Sequence, residues 1–141
     1  MEIKFVLDFD GVLFNSAFEA YSVANRAVMG QPQYRQDVTY EEFLSYRSVV
    51  TDAWQYNRLY SVDHGLPAAT IRHFLAEEID WAFARDFFDA RKAMMQDPEW
   101  PKAMPPYDFF FLLKPLLLQF PERFAILSTR NVQSIRETMA F

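Results

Sequence analysis

The chain has 141 residues, 51% apolar and 18% aromatic, which is ample for the core of one ordinary domain. Its net charge of -5 argues against a nucleic-acid partner, because phosphate backbones are held by clustered Lys and Arg and the 14 basic residues here are scattered singly apart from Arg91-Lys92. The absence of cysteine excludes disulfides and thiolate metal sites, and the charged start Met1-Glu2-Ile3-Lys4 with no long apolar run argues against a secretory signal or a membrane span, so a soluble, cytoplasmic protein is expected.

In chain order, Ile3, Phe5, Val6 and Leu7 form a short apolar run that reads as a strand buried on both faces of a parallel sheet, ending at Asp8. Helical spacing follows from Ser16 through Ala17, Tyr21, Ala24 and Val28, with Asn15 or Ser16 as cap and Gly30 as stop. Between Gln31 and Gln96 the patterns are helical. Thr39 and Glu42 make a capping box before Phe43, Leu44 and Tyr46, and an aromatic stretch runs from Trp54 to Tyr60. Ile71, Phe74, Leu75, Ile79, Ala82, Phe83, Phe87 and Met94 keep three-and-four spacing, which predicts one long helix ended by Asp97-Pro98. Its wet face would carry Glu77-Glu78, Asp86 and Asp89. Four of the eight prolines lie between Pro98 and Pro106, which marks a connector. Phe109 to Phe120 reads as a helix despite Pro115, Phe124 to Leu127 as a second buried strand, and Asn131 as the cap of a helix to Phe141.

The chemistry-bearing residues sit at the strand ends. On a strand, residues two apart share a face, so Asp8 and Asp10 can aim their carboxylates into one site at the carboxyl end of the first strand, where open α/β sheets bind ligands. Two adjacent carboxylates repel unless a cation lies between them, and a hard, oxygen-seeking divalent ion such as Mg2+ meets that need. Gly11 lets the backbone turn so that its amides can face an anion. Two solvated loop acids before a glycine turn would be the simpler account, but the strand before and the helix after supply the context that a site motif requires. A calcium loop is excluded because Val12-Leu13-Phe14 follows where further acids would be needed. His64, beside Gly65, and His73 read as structural or solvated.

Asp8-Phe9-Asp10-Gly11-Val12-Leu13-Phe14-Asn15-Ser16 resembles the first motif of the haloacid dehalogenase superfamily, above all its phosphoglycolate phosphatase-like and β-phosphoglucomutase-like branch. Ile126-Leu127-Ser128-Thr129-Arg130 resembles the second motif, and the stretch between them the helical cap of that branch. The resemblance implies an α/β fold: a partial Rossmann-like core of parallel strands from residues 1–15 and 105–141, with an all-helical cap at 16–104. It further implies a magnesium-dependent phosphatase acting on a small phosphorylated metabolite, with Asp8 as nucleophile, Asp10 as acid and base, and Asp8 with the Asp10 backbone carbonyl at the metal. Gly11 and Ser128 would bind phosphate, with Thr129 in place of Ser128 if the register is shifted by one. The dehalogenases lack an acid two positions after the nucleophile, so Asp10 favours phosphate over halide substrates. Asn15 departs from the Asp frequent in the branch.

The lysine and late acids that the family places after its second motif have no counterpart here, since Lys4, Lys92, Lys102 and Lys114 all precede Ser128 and Glu137 is the sole later acid. The expectation is therefore a truncated hydrolase with little turnover, whose incomplete core is completed in a homo-oligomer. The alternative is a non-catalytic protein using this fold as a binding or self-association module.

Overall fold

A computed structural model describes residues 4–62 and 78–140, and the chain divides into two compact units, residues 1–19 with 98–141 and residues 20–97. His64, His73, Ile71, Phe74, Leu75 and Glu77 lie outside the described residues. The described residues form a mixed α/β structure with a two-stranded parallel sheet. No helix among them is long and apolar enough to cross a membrane.

In the first unit, β1 (Phe5–Asp8) pairs in parallel with β2 (Phe124–Leu127), placing Phe5 opposite Phe124 and Asp8 opposite Leu127. β-branched and aromatic side chains favour this pleated pairing, and the Phe5 and Phe124 rings stack at 5.4 Å. Contrary to the reading of two buried strands, Phe5 is 54% exposed and Val6 62% in β1, and Leu127 is 73% exposed in β2. Among the described residues the sheet has no third strand, so each strand keeps one unpaired edge.

The core of this unit instead lies beneath the loop after β1. Phe9, Leu13 and Phe14 are wholly buried, and Phe14 stacks on Phe9 at 4.9 Å and meets Phe110 at 4.8 Å. Phe110 belongs to α5 (Asp108–Gln119), which passes through Pro115 without ending. The proline removes one internal hydrogen bond, and the helix continues past it to Gln119. Backbone bonds from the Asn15 N–H to the Pro105 carbonyl (2.8 Å) and from the Tyr107 N–H to the Leu13 carbonyl (2.9 Å) fasten the proline connector to that loop. The last helix, α6 (Val132–Met139), starts where the Asn131 side chain accepts the Ser134 N–H at 2.8 Å.

A 13-residue helix, α1 (Ser16–Val28), begins in the first unit and continues into the second. There it is joined by α2 (Tyr40–Arg47), a 3₁₀ turn at Ala53–Tyr56, α3 (Asn57–Tyr60) and α4 (Trp81–Met94). The capping box before α2 forms as the sequence indicates: the Thr39 hydroxyl accepts the Glu42 N–H and the Glu42 carboxylate accepts the Thr39 N–H. Val23, Phe43, Tyr56, Leu59, Tyr60, Phe83 and Phe87 close a continuous core. Burial pushes the Tyr60 hydroxyl far above its ordinary range, and it donates to Asn25 at 3.0 Å.

The predicted long helix does not run unbroken. Residues 78–80 are non-helical and α4 starts at Trp81, because Asp80 is an N-cap: its carboxylate accepts the Phe83 N–H at 2.9 Å and the Asn57 amide at 2.8 Å. Ile79 and Ala82 consequently fall outside the buried stripe, which Phe83, Ala84 and Phe87 supply.

Candidate functional site

Parallel pairing brings the carboxyl ends of β1 and β2 to one edge, so the segments beginning at Phe9 and at Ser128 leave the sheet side by side. The Ser128 hydroxyl donates to Asp10 Oδ2 at 3.3 Å, joining residues 118 positions apart. The other oxygen, Asp10 Oδ1, accepts two bonds from Arg130, 3.1 Å from Nε and 2.8 Å from Nη2. Arg130 Nη2 also reaches Glu19 at 3.5 Å, Nη1 donates to the Ser134 hydroxyl at 3.3 Å, and the guanidinium lies 5.8 Å from the centre of the Phe9 ring. The Arg130 side chain is 8% exposed and that of Glu19 is wholly buried, whereas that of Asp10 retains 27%. Such desolvated, charge-assisted bonds fix geometry strongly.

Asp8 closes β1 and is exposed, its Oδ1 accepting the N–H of Phe9 at 2.8 Å. Burial alternates along Asp8, Phe9 and Asp10, with Phe9 wholly buried between the two acids. Gly11 adopts φ +78°, the left-handed region that favours glycine, and a side chain there would meet open space, so conformation rather than crowding selects it. Its N–H donates to the Phe14 carbonyl at 2.9 Å and is therefore engaged within the turn rather than turned toward an anion. Thr129 is exposed. Ser128 does not cap α6, a role Asn131 fills; its oxygen accepts the Arg130 N–H at 3.1 Å while its hydroxyl donates to Asp10.

Sequence reasoning singled out Asp8, Asp10, Gly11, Ser128 and Thr129 but passed over Arg130 and Glu19. Glu19 lies among the positions of α1 that face inward, next to Ala20 and one turn before Val23, both buried. An acid on an apolar helical stripe is the sequence signal that a buried polar partner exists, and it does not say which residue that partner is.

No protein-family model, curated protein or solved structure matches this chain.

Proposed function

We propose that the chain is a phosphohydrolase of the haloacid dehalogenase type, acting on a small phosphorylated metabolite in the cytoplasm through an aspartyl-phosphate at Asp8. The observation that carries this reading is the 3.3 Å bond between Ser128 and Asp10, which joins the two resembled motifs at the carboxyl ends of paired parallel strands. The finer architecture, a Rossmann-like core with an inserted helical cap, belongs to the same proposal.

In the first step a carboxylate oxygen of Asp8 bonds to phosphorus as the ester P–O bond breaks, and Asp10 gives its proton to the departing oxygen. In the second, water attacks the phosphorus, its proton returns to Asp10, and the Asp8–phosphorus bond breaks to release inorganic phosphate. Arg130 occupies Asp10 Oδ1 with two N–H groups, so that proton transfer would fall to Oδ2, the oxygen beside Ser128. Ser128 would then turn its hydroxyl from Asp10 to the phosphoryl group, with Thr129 next to it, and Gly11 contributes the turn that presents Asp10.

The residues fit a magnesium ion. Among the described residues no group of three His, Cys, Asp or Glu is gathered, but magnesium is ordinarily held by one or two carboxylates with water and substrate oxygens completing its shell. Asp8 ends β1 with an exposed carboxylate, and a phosphate dianion would approach it only with a cation to offset the like charge. The Asp8 carboxylate and the Asp10 backbone carbonyl would hold the ion, which would offset charge on the transferring phosphoryl group.

The test is release of inorganic phosphate from small phosphate esters with magnesium, comparing the native chain with Asp8→Asn, whose amide is isosteric but a poor nucleophile. Magnesium-dependent release lost in that variant is the expected result, and release that survives it assigns the nucleophile elsewhere. A second reading, a non-catalytic binding module, is favoured by one feature, the closure of Asp10 against Arg130. It predicts no release from any ester, with fold and thermal stability unchanged by Asp8→Asn.

A further inference from the structure

The Arg130 guanidinium is held along two of its edges. Nε and Nη2 both donate to a single oxygen, Asp10 Oδ1, at 3.1 and 2.8 Å, while Nη2 also reaches Glu19 Oε2 at 3.5 Å and Nη1 donates to the Ser134 hydroxyl at 3.3 Å. A guanidinium is a planar, rigid fork, so anchoring one edge fixes where the other points. The anchors are both buried, Glu19 in the first turn of α1 and Ser134 in α6. Side-chain exposure rises from none at Glu19 through 8% at Arg130 to 27% at Asp10. The charge furthest from solvent therefore stands at the back of the cluster, and the carboxylate that a ligand can reach stands at the front.

We propose that Glu19 is a positioning residue for Asp10: it holds Arg130, and Arg130 holds the Asp10 carboxylate so that Oδ2 meets the departing oxygen of a phosphate ester. The inference rests on the phosphatase reading and deepens it, giving a role to a side chain that touches neither substrate nor metal. Arginine and carboxylate frequently pair two N–H groups with two oxygens. Here both N–H groups converge on Oδ1, and Oδ2 is left to the Ser128 hydroxyl at 3.3 Å, on the side of the second motif. Proton transfer at Oδ2 tolerates little displacement, since reacting groups misplaced by about 1 Å can lose roughly 10²-fold in rate. Glu19→Gln keeps the shape of the side chain but takes the charge from its bond to Arg130, and charge-assisted bonds are about twice as strong as neutral ones. The guanidinium plane is then held less firmly, and Asp10 with it.

Two esters separate this role from a merely structural one. A general acid matters most where the departing oxygen is strongly basic, as in an alkyl phosphate such as glycerol 2-phosphate, and least where it leaves readily as nitrophenolate, as in 4-nitrophenyl phosphate. The value of kcat/KM reports attack and ester cleavage from free enzyme and substrate, and is measured for both esters with magnesium in the native chain and in Glu19→Gln. The expected result is that the ratio of kcat/KM for the alkyl ester to that for the nitrophenyl ester falls about tenfold in the variant. Loss of folded protein lowers both values alike and leaves the ratio unchanged. Should far-ultraviolet circular dichroism show Glu19→Gln unfolded, Ser134→Ala, which frees the other anchor of the same guanidinium, replaces it with the same expected fall. Equal losses on the two esters, or no loss on either, overturn the inference and leave the phosphatase reading standing. A native chain without phosphatase activity fails that reading itself and takes the inference with it.

Discussion

The helical unit and the sheet unit use apolar residues to different ends. In residues 20–97, Phe43, Tyr56, Tyr60, Phe83 and Phe87 are almost completely withdrawn from solvent, because the helices each turn one stripe toward a shared centre. In the sheet unit, α5 is richer in apolar residues than any of those helices, yet most of its side chains stay exposed. Apolar content thus supplies the tendency to bury, but burial also needs opposing faces. The strand pair and α5 have more apolar faces than the described residues of their unit cover.

The sharpest way to break this contrast is a matched pair of truncations. Phe87→Ala removes a wholly buried ring that stacks 6.2 Å from Tyr56 and 6.4 Å from Phe83. It should cost about 3–5 kcal/mol in urea unfolding followed by circular dichroism. Leu112→Ala, at a position 75% exposed, should change the stability of the monomer by roughly 0.5 kcal/mol or less at low protein concentration. Comparable losses at the two positions would mean that α5 is buried in the monomer.

Next in size is the ion cluster. Arg130→Met leaves the buried Glu19 without this cation and Asp10 without its two guanidinium bonds, which should cost about 3 kcal/mol. Adding Glu19→Gln should restore part of the loss, since the amide removes the buried charge. Two additive losses would show that the residues do not act as a pair.

How far the sequence discloses this molecule depends on whether a feature is local. The capping box at Thr39–Glu42, the strand Phe124–Leu127 and the cap at Asn131 were all legible, because each rests on side chains within four residues of one another. The apolar run at Ile3 to Leu7 gave the strand but the wrong environment, since burial depends on what packs above the sheet. The long helix failed at Asp80, whose capping acid looks in sequence like one more residue on a polar face. At the site, Asp10 and Ser128 could be chosen by their positions at strand ends. The Arg130–Glu19 contact could not, because it spans 111 residues and depends on the parallel register.

A smaller effect concerns α6. Asn131→Ala removes the acceptor for the Ser134 N–H and should destabilise the helix by about 1 kcal/mol. Hydrogen exchange would show the loss at the first turn of α6, while the amides of α4 keep their protection. Equal loss in both helices would mean that the two units unfold as one.

The smallest effect separates charge from geometry in the helical unit. The Thr39 backbone N–H that Glu42 accepts holds its carboxyl below the ordinary value; burial pushes the other way less strongly, and the Arg35 guanidinium adds to the lowering. A carboxyl depressed in the folded state binds a proton more readily when unfolded. Its contribution is therefore present above the unfolded value of about 4.3 and is lost as pH falls through the lower folded value. Glu42 is 38% exposed and solvent screens the pair, so the contribution should be roughly 0.2–1 kcal/mol. Glu42→Gln keeps the side-chain acceptor of the capping box but removes the charge. The variant should unfold more easily than the native chain at pH 7, and the two curves should converge as the pH falls through the lowered folded value. Every other acid titrates in both proteins, so the difference isolates Glu42. A gap of constant size down to that pH would show that the box acts through hydrogen bonding alone.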